Sequence, residues 1–229
     1  MSPIAANLQA VRRRISEALQ GDSRDVTLVA VSKSQSPDAI RAAFDAGCQD
    51  FGESYAQEAY PKISQLQALA ATWHFIGHLQ SNKARDIAER FAWVHAIDRL
   101  KIAAALGKGR PNGLSPLNVC VQVNISGEAT KGGVAPGEAL ALAREVAEVP
   151  GLRLRGLMGM ARATADAAGQ RAEFARLART FEELRAAGLT LDTLSMGMSD
   201  DFEAAIAAGA TMVRIGTAIF GARSAKVAA

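Results

Sequence analysis

Seven of the 229 residues are lysine, at positions 33, 62, 83, 101, 108, 131 and 226. One of them, Lys33, directly follows the apolar run Leu28-Val29-Ala30-Val31-Ser32. A lysine at the end of a buried strand either snorkels to solvent or is kept there for its amine. The free ammonium, with a pKa near ~10.4, attacks an aldehyde poorly, whereas an apolar surround lowers a lysine toward ~7–8. Lys33 is therefore a candidate Schiff-base residue. A second candidate group lies in Leu194-Ser195-Met196-Gly197-Met198-Ser199-Asp200-Asp201 and in 212–221. Ser195 and Ser199 supply hydroxyls, with Ser199 placed to cap a helix starting near Asp201. Gly216 and Thr217 follow the apolar run at 212–215. Hydroxyls, glycines and the N–H groups of a short helix start are what a phosphate needs. An aldehyde that carries a phosphate would join the two groups: pyridoxal 5′-phosphate is one such molecule, and a sugar phosphate handled by a Schiff-base aldolase is the other.

Elements that could bring these residues together are visible in the periodicity. Eight short β-branched or aromatic runs occur at 26–31, 50–52, 73–77, 93–97, 117–125, 152–160, 193–198 and 211–216. Alanine-rich segments with a 3.6-residue period separate them, including 37–46, 56–69, 83–91, 136–148, 170–187 and 201–208. Pro37 and Pro136 suit first helical turns, and Gly47, Gly188 and Gly209 suit helix ends. Alternating strands and helices imply parallel pairing with right-handed crossovers. Eight such units after an amphipathic segment at 4–19 are the count for a (β/α)8 TIM barrel of about 250 residues, with its reactive groups at the strand C-termini and its phosphate sites after strands seven and eight. The competing doubly wound sheet would carry a GxGxxG turn after its first strand, which is missing. No linker divides the chain, so one domain over 1–229 is expected.

Composition narrows the function classes. Hydrophobic residues make up 49%, charged residues 21% and aromatics 5%, with 26 basic against 23 acidic side chains and a net charge of +3. Such a chain buries a core, and its balance of charge marks neither nucleic acid nor membrane as a partner. Arg12-Arg13-Arg14 has no interleaved aromatics and reads as the solvated face of the first helix. Two cysteines, Cys48 and Cys120, give no disulfide framework and point to a reducing compartment. The N-terminal residues lack a basic flank followed by an apolar core, and no apolar stretch reaches about 20 residues, so a soluble cytoplasmic protein is expected. Three histidines, His74, His78 and His95, form no metal-ligand spacing; His74 and His78, flanking the third strand, read as supporting or surface groups. Lys83 and Lys131 read as surface lysines on the face that holds Lys33, and the glycines at 127–133 suit a mobile lid.

Several motifs, in order along the chain, resemble one family. Val29-Ala30-Val31-Ser32-Lys33, Phe51-Gly52-Glu53-Ser54-Tyr55-Ala56-Gln57-Glu58, Trp73-His74-Phe75-Ile76-Gly77-His78-Leu79-Gln80-Ser81-Asn82-Lys83, Leu154-Arg155-Gly156-Leu157-Met158 and the run 194–221 look like those of the YggS/PROSC pyridoxal-phosphate homeostasis proteins. The resemblance implies a fold-type III barrel similar to the N-terminal domain of alanine racemase. It also implies that Lys33 carries pyridoxal 5′-phosphate as an internal aldimine, that Arg214 faces the pyridine nitrogen, and that Ser195, Ser199, Gly216 and Thr217 surround the phosphate. The family usually reads Phe-Gly-Glu-Asn where this chain has the shorter Ser54.

An arginine at the ring nitrogen offers only donors, which leaves that nitrogen unprotonated and the ring a weaker electron sink. Alanine racemase adds a tyrosine from a second domain of its partner subunit. Here the only tyrosines are Tyr55 and Tyr60, in or beside the 56–69 segment, and the sequence ends shortly after the eighth run. A store or carrier of the cofactor, passing it to client enzymes with little turnover of its own, is therefore expected over a pyridoxal-dependent racemase or lyase, or a sugar-phosphate aldolase.

Overall fold

The computed structural model describes residues 2–164 and 166–222; Lys226 lies outside them. Eight strands alternate with helices: β1 (Thr27–Val31), β2 (Asp50–Glu53), β3 (Thr72–Phe75), β4 (Trp93–Ile97), β5 (Leu117–Val123), β6 (Leu152–Gly159), β7 (Thr193–Ser195) and β8 (Met212–Ile215). Every neighbouring pair is parallel, and β8 returns to β1 with Val29 opposite Arg214 and Ala30 opposite Ile215, closing the barrel. The expected (β/α)8 architecture is the observed one. Helices α1 (Pro3–Leu19), α2 (Pro37–Asp45), α3 (Ala56–Gln65), α4 (Ala84–Arg90), α5 (Leu100–Gly109), α6 (Ala139–Ala147), α7 (Ala167–Ala186), α8 (Phe202–Ala207) and α9 (Thr217–Phe220) complete the described chain.

Local chemistry explains the boundaries. The hydroxyls of Ser2 and Ser36 accept the N–H groups of Ala5 and Ala39, with Pro3 and Pro37 in the first turn, where a missing N–H costs nothing. Gly47, Gly188 and Gly209 each follow a helix C-cap with φ of 89°, 94° and 107°, the left-handed ending that a side chain disfavours.

The three consecutive arginines of α1 act differently from the solvated face expected of them. Arg12 donates to the carbonyls of Ala46 and Gly47 at the end of α2, at 3.2 and 2.7 Å. Arg14 pairs with Glu203 at 2.6 Å and lies over the Phe202 ring. Two of the three therefore fasten α1 to α2 and α8, and Arg13 alone keeps to the surface beside Glu17.

Two apolar clusters hold the barrel. The larger packs the helices onto the outer strand faces, with Phe51, Phe174 and Phe202 fully buried; each such side chain contributes about 1.5–3 kcal/mol relative to exposure. The smaller is inside the barrel and contains Val29, Trp93, Ala96, Cys120, Met158 and Met212. Strand pairing is tightest at Gly156, where an added Cβ would meet the Thr193 carbonyl oxygen at 1.7 Å. Gly156→Ala should consequently destabilise the fold by about 3 kcal/mol, lowering the melting temperature by roughly 6–12 °C; thermal unfolding followed by circular dichroism measures it.

Candidate functional site

A cavity of about 240 Å³ opens at the C-terminal ends of the strands, just under the roughly 300–1,000 Å³ common for small-molecule sites. Val31, Ile76, Met158, Met160 and Met198 form its apolar walls. Lys33 follows β1, Ser54 follows β2, Ser199 and Asp200 follow β7, and Gly216 and Thr217 follow β8, while Arg214 projects from β8 itself. Of the six residues expected at the site, Lys33, Ser199, Arg214, Gly216 and Thr217 thus line one cavity.

Ser195 stands apart. It is fully buried and does not line the cavity; its hydroxyl accepts from Arg214 Nη1 at 2.7 Å and contacts His95 Nδ1 at 2.9 Å. Ser199 also differs from the helix cap expected of it. The N-cap of α8 is Asp201, whose carboxylate accepts the Met198 N–H at 2.6 Å. Ser199 Oγ instead accepts the N–H groups of Gly216 and Ala218, both at 3.3 Å, in the turn that opens α9. Its own O–H is left to donate. Gly216 has a φ of −113°, and a Cβ there would meet Val31 only in ordinary contact at 3.5 Å. Packing does not demand a glycine; its bare backbone keeps this edge of the cavity open.

The Lys33 turn is braced from beneath. Ser32 donates through its hydroxyl to Glu53 at 2.6 Å and through its N–H to the Gly52 carbonyl at 2.9 Å. Lys62 of α3, almost fully buried, donates to the Ser32 carbonyl, Glu53 and Glu58 at 2.8, 3.0 and 2.6 Å. Glu58 also accepts the Ser34 N–H. Ser34 has a φ of 62°, a left-handed conformation a non-glycine residue adopts at a cost, and these bonds hold it next to Lys33.

Arg214 is 4% exposed, and burial lowers it to about 10, against the opposing charge of Asp201. It stays cationic at neutral pH. Nη1 donates to Ser195 and Nη2 to the Gly159 carbonyl at 3.1 Å. Behind Ser195 stand His95 and His74, joined Nε2 to Nδ1 at 3.0 Å, and His74 Nε2 meets Asp50 at 2.9 Å. Burial lowers both imidazoles, His95 well below its ordinary value with His74 and Arg214 adding to the effect; Asp50 opposes it at His74.

Sequence reasoning placed His74 and His78 together beside the third strand, and the structure separates them. His74 is inside the barrel, whereas the His78 side chain is 66% exposed. The sequence alone assigns no site role to Lys62, Glu53, His95 or Asp50. The signal for Glu53 is its place at the C-terminal end of β2, next to Gly52. Lys131 donates to the Ala161 carbonyl and pairs with Glu128. The 127–133 loop expected to form a lid is tied down by Asn124, which bonds the Glu128 and Lys131 carbonyls and the Gly127 N–H. Among the described residues no cluster of three metal-ligating side chains occurs, and no helix is long and apolar enough to cross a membrane.

The family model for the alanine racemase N-terminal domain matches residues 2–224. A pyridoxal phosphate homeostasis protein of Pseudomonas aeruginosa is 58% identical over 226 residues, covering 97% of each chain. The protein of the same name from Escherichia coli K12 is 52% identical over 229 residues, covering 97% of this chain and 98% of its own. The solved structure of PipY from Synechococcus elongatus with PLP bound superposes with a TM-score of 0.84 at 36% identity, over 95% of this chain and all of that one.

The Glu53–Lys62 pair yields a test with a defined sign. Burial raises the Glu53 carboxyl above its ordinary value, against the lowering effect of Ser32 and Lys62. The folded chain therefore binds that proton more readily than the unfolded chain, and stability from this group rises as pH falls through the raised value toward the ordinary one. Lys62→Met should cost about 3–5 kcal/mol near pH 8 and visibly less near pH 5, because acidification favours the neutral form of the carboxyl that loses its partner. Urea unfolding of variant and wild type at the two pH values measures the difference.

Proposed function

The chain belongs to the alanine racemase N-terminal domain family, and on that premise we propose that it binds pyridoxal 5′-phosphate and serves the homeostasis of that cofactor. The observation that carries the reading is the convergence of Lys33, Arg214 and the Ser199–Gly216–Thr217 edge on one cavity. The donor set suits the molecule. Lys33 is the lysine on the cavity wall, and it offers an amine to the aldehyde. The Ser199 hydroxyl, the Thr217 side chain and the open backbone at Gly216 receive the phosphate. The methionines and Val31 enclose the ring, and Arg214 brings N–H donors to the ring nitrogen. Ser54, on the same wall, leaves more room than the asparagine usual in the family. Bound pyridoxal 5′-phosphate supplies a reversibly condensing aldehyde and an electron-withdrawing ring.

The protein's own residues favour holding over turnover. Arg214 cannot give up a proton at neutral pH, so it orients the ring without making it a stronger electron sink. The other ionisable groups on the wall among the described residues are Lys33 and Asp200. Tyr55 is 60% exposed and lines a separate crevice with His78 and Lys83, and Tyr60 lies under the Arg90 guanidinium. A racemase or lyase would need a further acid–base group at the cavity. Storage and delivery to pyridoxal-dependent client enzymes in the cytoplasm, by one barrel domain spanning 1–229, complete the proposal; the family match over residues 2–224 supports that domain extent.

Purified protein given pyridoxal 5′-phosphate should turn yellow, and borohydride should fix one equivalent on Lys33. Lys33→Ala should stay colourless. A wild-type protein that refuses the cofactor yet cleaves a sugar phosphate would replace this reading with an aldolase. Racemisation or decarboxylation of amino acids should stay far below about 1 s⁻¹, the lower end of ordinary enzyme turnover, when followed by chiral chromatography.

A further inference from the structure

Five side chains cross the inside of the barrel without a break. Arg214 of β8, Ser195 of β7, His95 of β4, His74 of β3 and Asp50 of β2 are joined at 2.7, 2.9, 3.0 and 2.9 Å in that order. Arg214 stands on the cavity wall at the upper end. Asp50 lies at the other end, in a crevice it shares with Cys48 and Gln49. A guanidinium only donates and a carboxylate only accepts, so the two ends dictate the order of the protons between them. Arg214 donates to Ser195, the Ser195 hydroxyl to His95 Nδ1, His95 Nε2–H to His74 Nδ1, and His74 Nε2–H to Asp50. The opposite order would set a bare ring nitrogen against the Asp50 carboxylate or require an imidazolium, and both rings are completely enclosed.

A chain that only satisfied Arg214 could stop at Ser195. This one continues through two imidazoles to a carboxylate at the far end of the barrel, and no carboxylate pairs directly with Arg214 among the described residues. Hydrogen bonds in series within a low-dielectric interior polarise one another. We infer that Asp50, His74, His95 and Ser195 are positioning residues for Arg214: they bring the countercharge of Asp50 to the guanidinium and fix which of its N–H groups remain for the ring in the cavity. The inference rests on the proposed binding of pyridoxal 5′-phosphate with its ring nitrogen before Arg214.

Nitrogen-15 NMR at neutral pH tests it in two arms. In the protein without cofactor, both imidazoles should be neutral and protonated at Nε2; an imidazolium, or a proton on Nδ1 of either ring, overturns the inference whether or not any ligand binds. With ring-labelled pyridoxal 5′-phosphate, Asp50→Asn and Ser195→Ala should keep the borohydride-fixed label on Lys33 and move the ring-nitrogen resonance from its wild-type position. Their cofactor release should quicken roughly three- to tenfold, the size expected for one weakened hydrogen bond. Gln49→Ala, in the same crevice but outside the chain, should change neither. Wild-type resonance and release rate in both relay variants, with thermal stability alone reduced, would assign the relay a purely structural role and overturn the inference. Refusal of the cofactor by wild-type protein counts against the proposed function instead, and the ligand-free arm still decides the proton order.

Discussion

A buried guanidinium governs the interior of this barrel. Moving such a cation out of water costs several kcal/mol even after relaxation, and Arg214 keeps its charge although burial lowers it to about 10. Eight strands leave an interior only wide enough for side chains, usually filled with branched apolar layers. Here much of that volume goes to Ser195, His95 and His74, and the apolar remainder includes Ala96, Cys120, Met158 and Met212. Trp93 stacks on His74 with ring centroids 5.5 Å apart and planes within 9°. The Arg155 guanidinium lies over the same indole, 4.8 Å from the ring centroid, while pairing with Asp192. The polar column is therefore walled as well as hydrogen-bonded.

A second buried network supports the site from outside the barrel. Glu53, Glu58 and Lys62 grip the turn that carries Lys33, and one oxygen of Glu53 has no partner among the described atoms. The two networks fix the polar groups that the neighbouring strands β1 and β8 bring to the cavity, whereas its apolar walls contain three methionines, the most adaptable of the apolar side chains. A rigid frame of donors with a pliable lining admits and releases a small flat molecule without rebuilding the groups that recognise it.

Much of the fold was legible because its signals are local. All eight strands fall where β-branched runs predict them, β4 with the same limits, and the proline and glycine punctuation marks helix ends, except that Pro136 opens a 3-10 turn (Pro136–Glu138) just ahead of α6. Lys33, Ser199, Gly216 and Thr217 were legible because position at a strand C-terminus has a meaning in a barrel, whereas Arg214, inside β8, was marked only by the family resemblance. The relay was not. His74, His95 and Asp50 are ordinary single letters on three separate strands, and what joins them is the shear of the closed sheet, which sets His74 opposite Trp93 and Asp50 opposite Thr72. Lys62 was hidden for a related reason: on a helix it reads as solvent-facing until Glu53, nine residues earlier and on another element, turns it inward. The roles of Arg12 and Arg14 depend likewise on α2 and α8, which no feature of Arg12-Arg13-Arg14 announces.

The pairing of β1 with β8 has a kinetic consequence. Lys33 leaves one side of that seam, and Arg214, Gly216 and Thr217 stand on the other, so the cavity joins polar groups that are far apart in sequence. During synthesis the amine would wait, exposed, until nearly the whole chain has emerged and β8 has docked. Contacts of such long sequence separation form late and slowly. Any molecule gripping both sides would act as a clasp on the last closure, favouring the sealed barrel by mass action, so that the abundance of well-folded protein would itself follow the supply of what it holds.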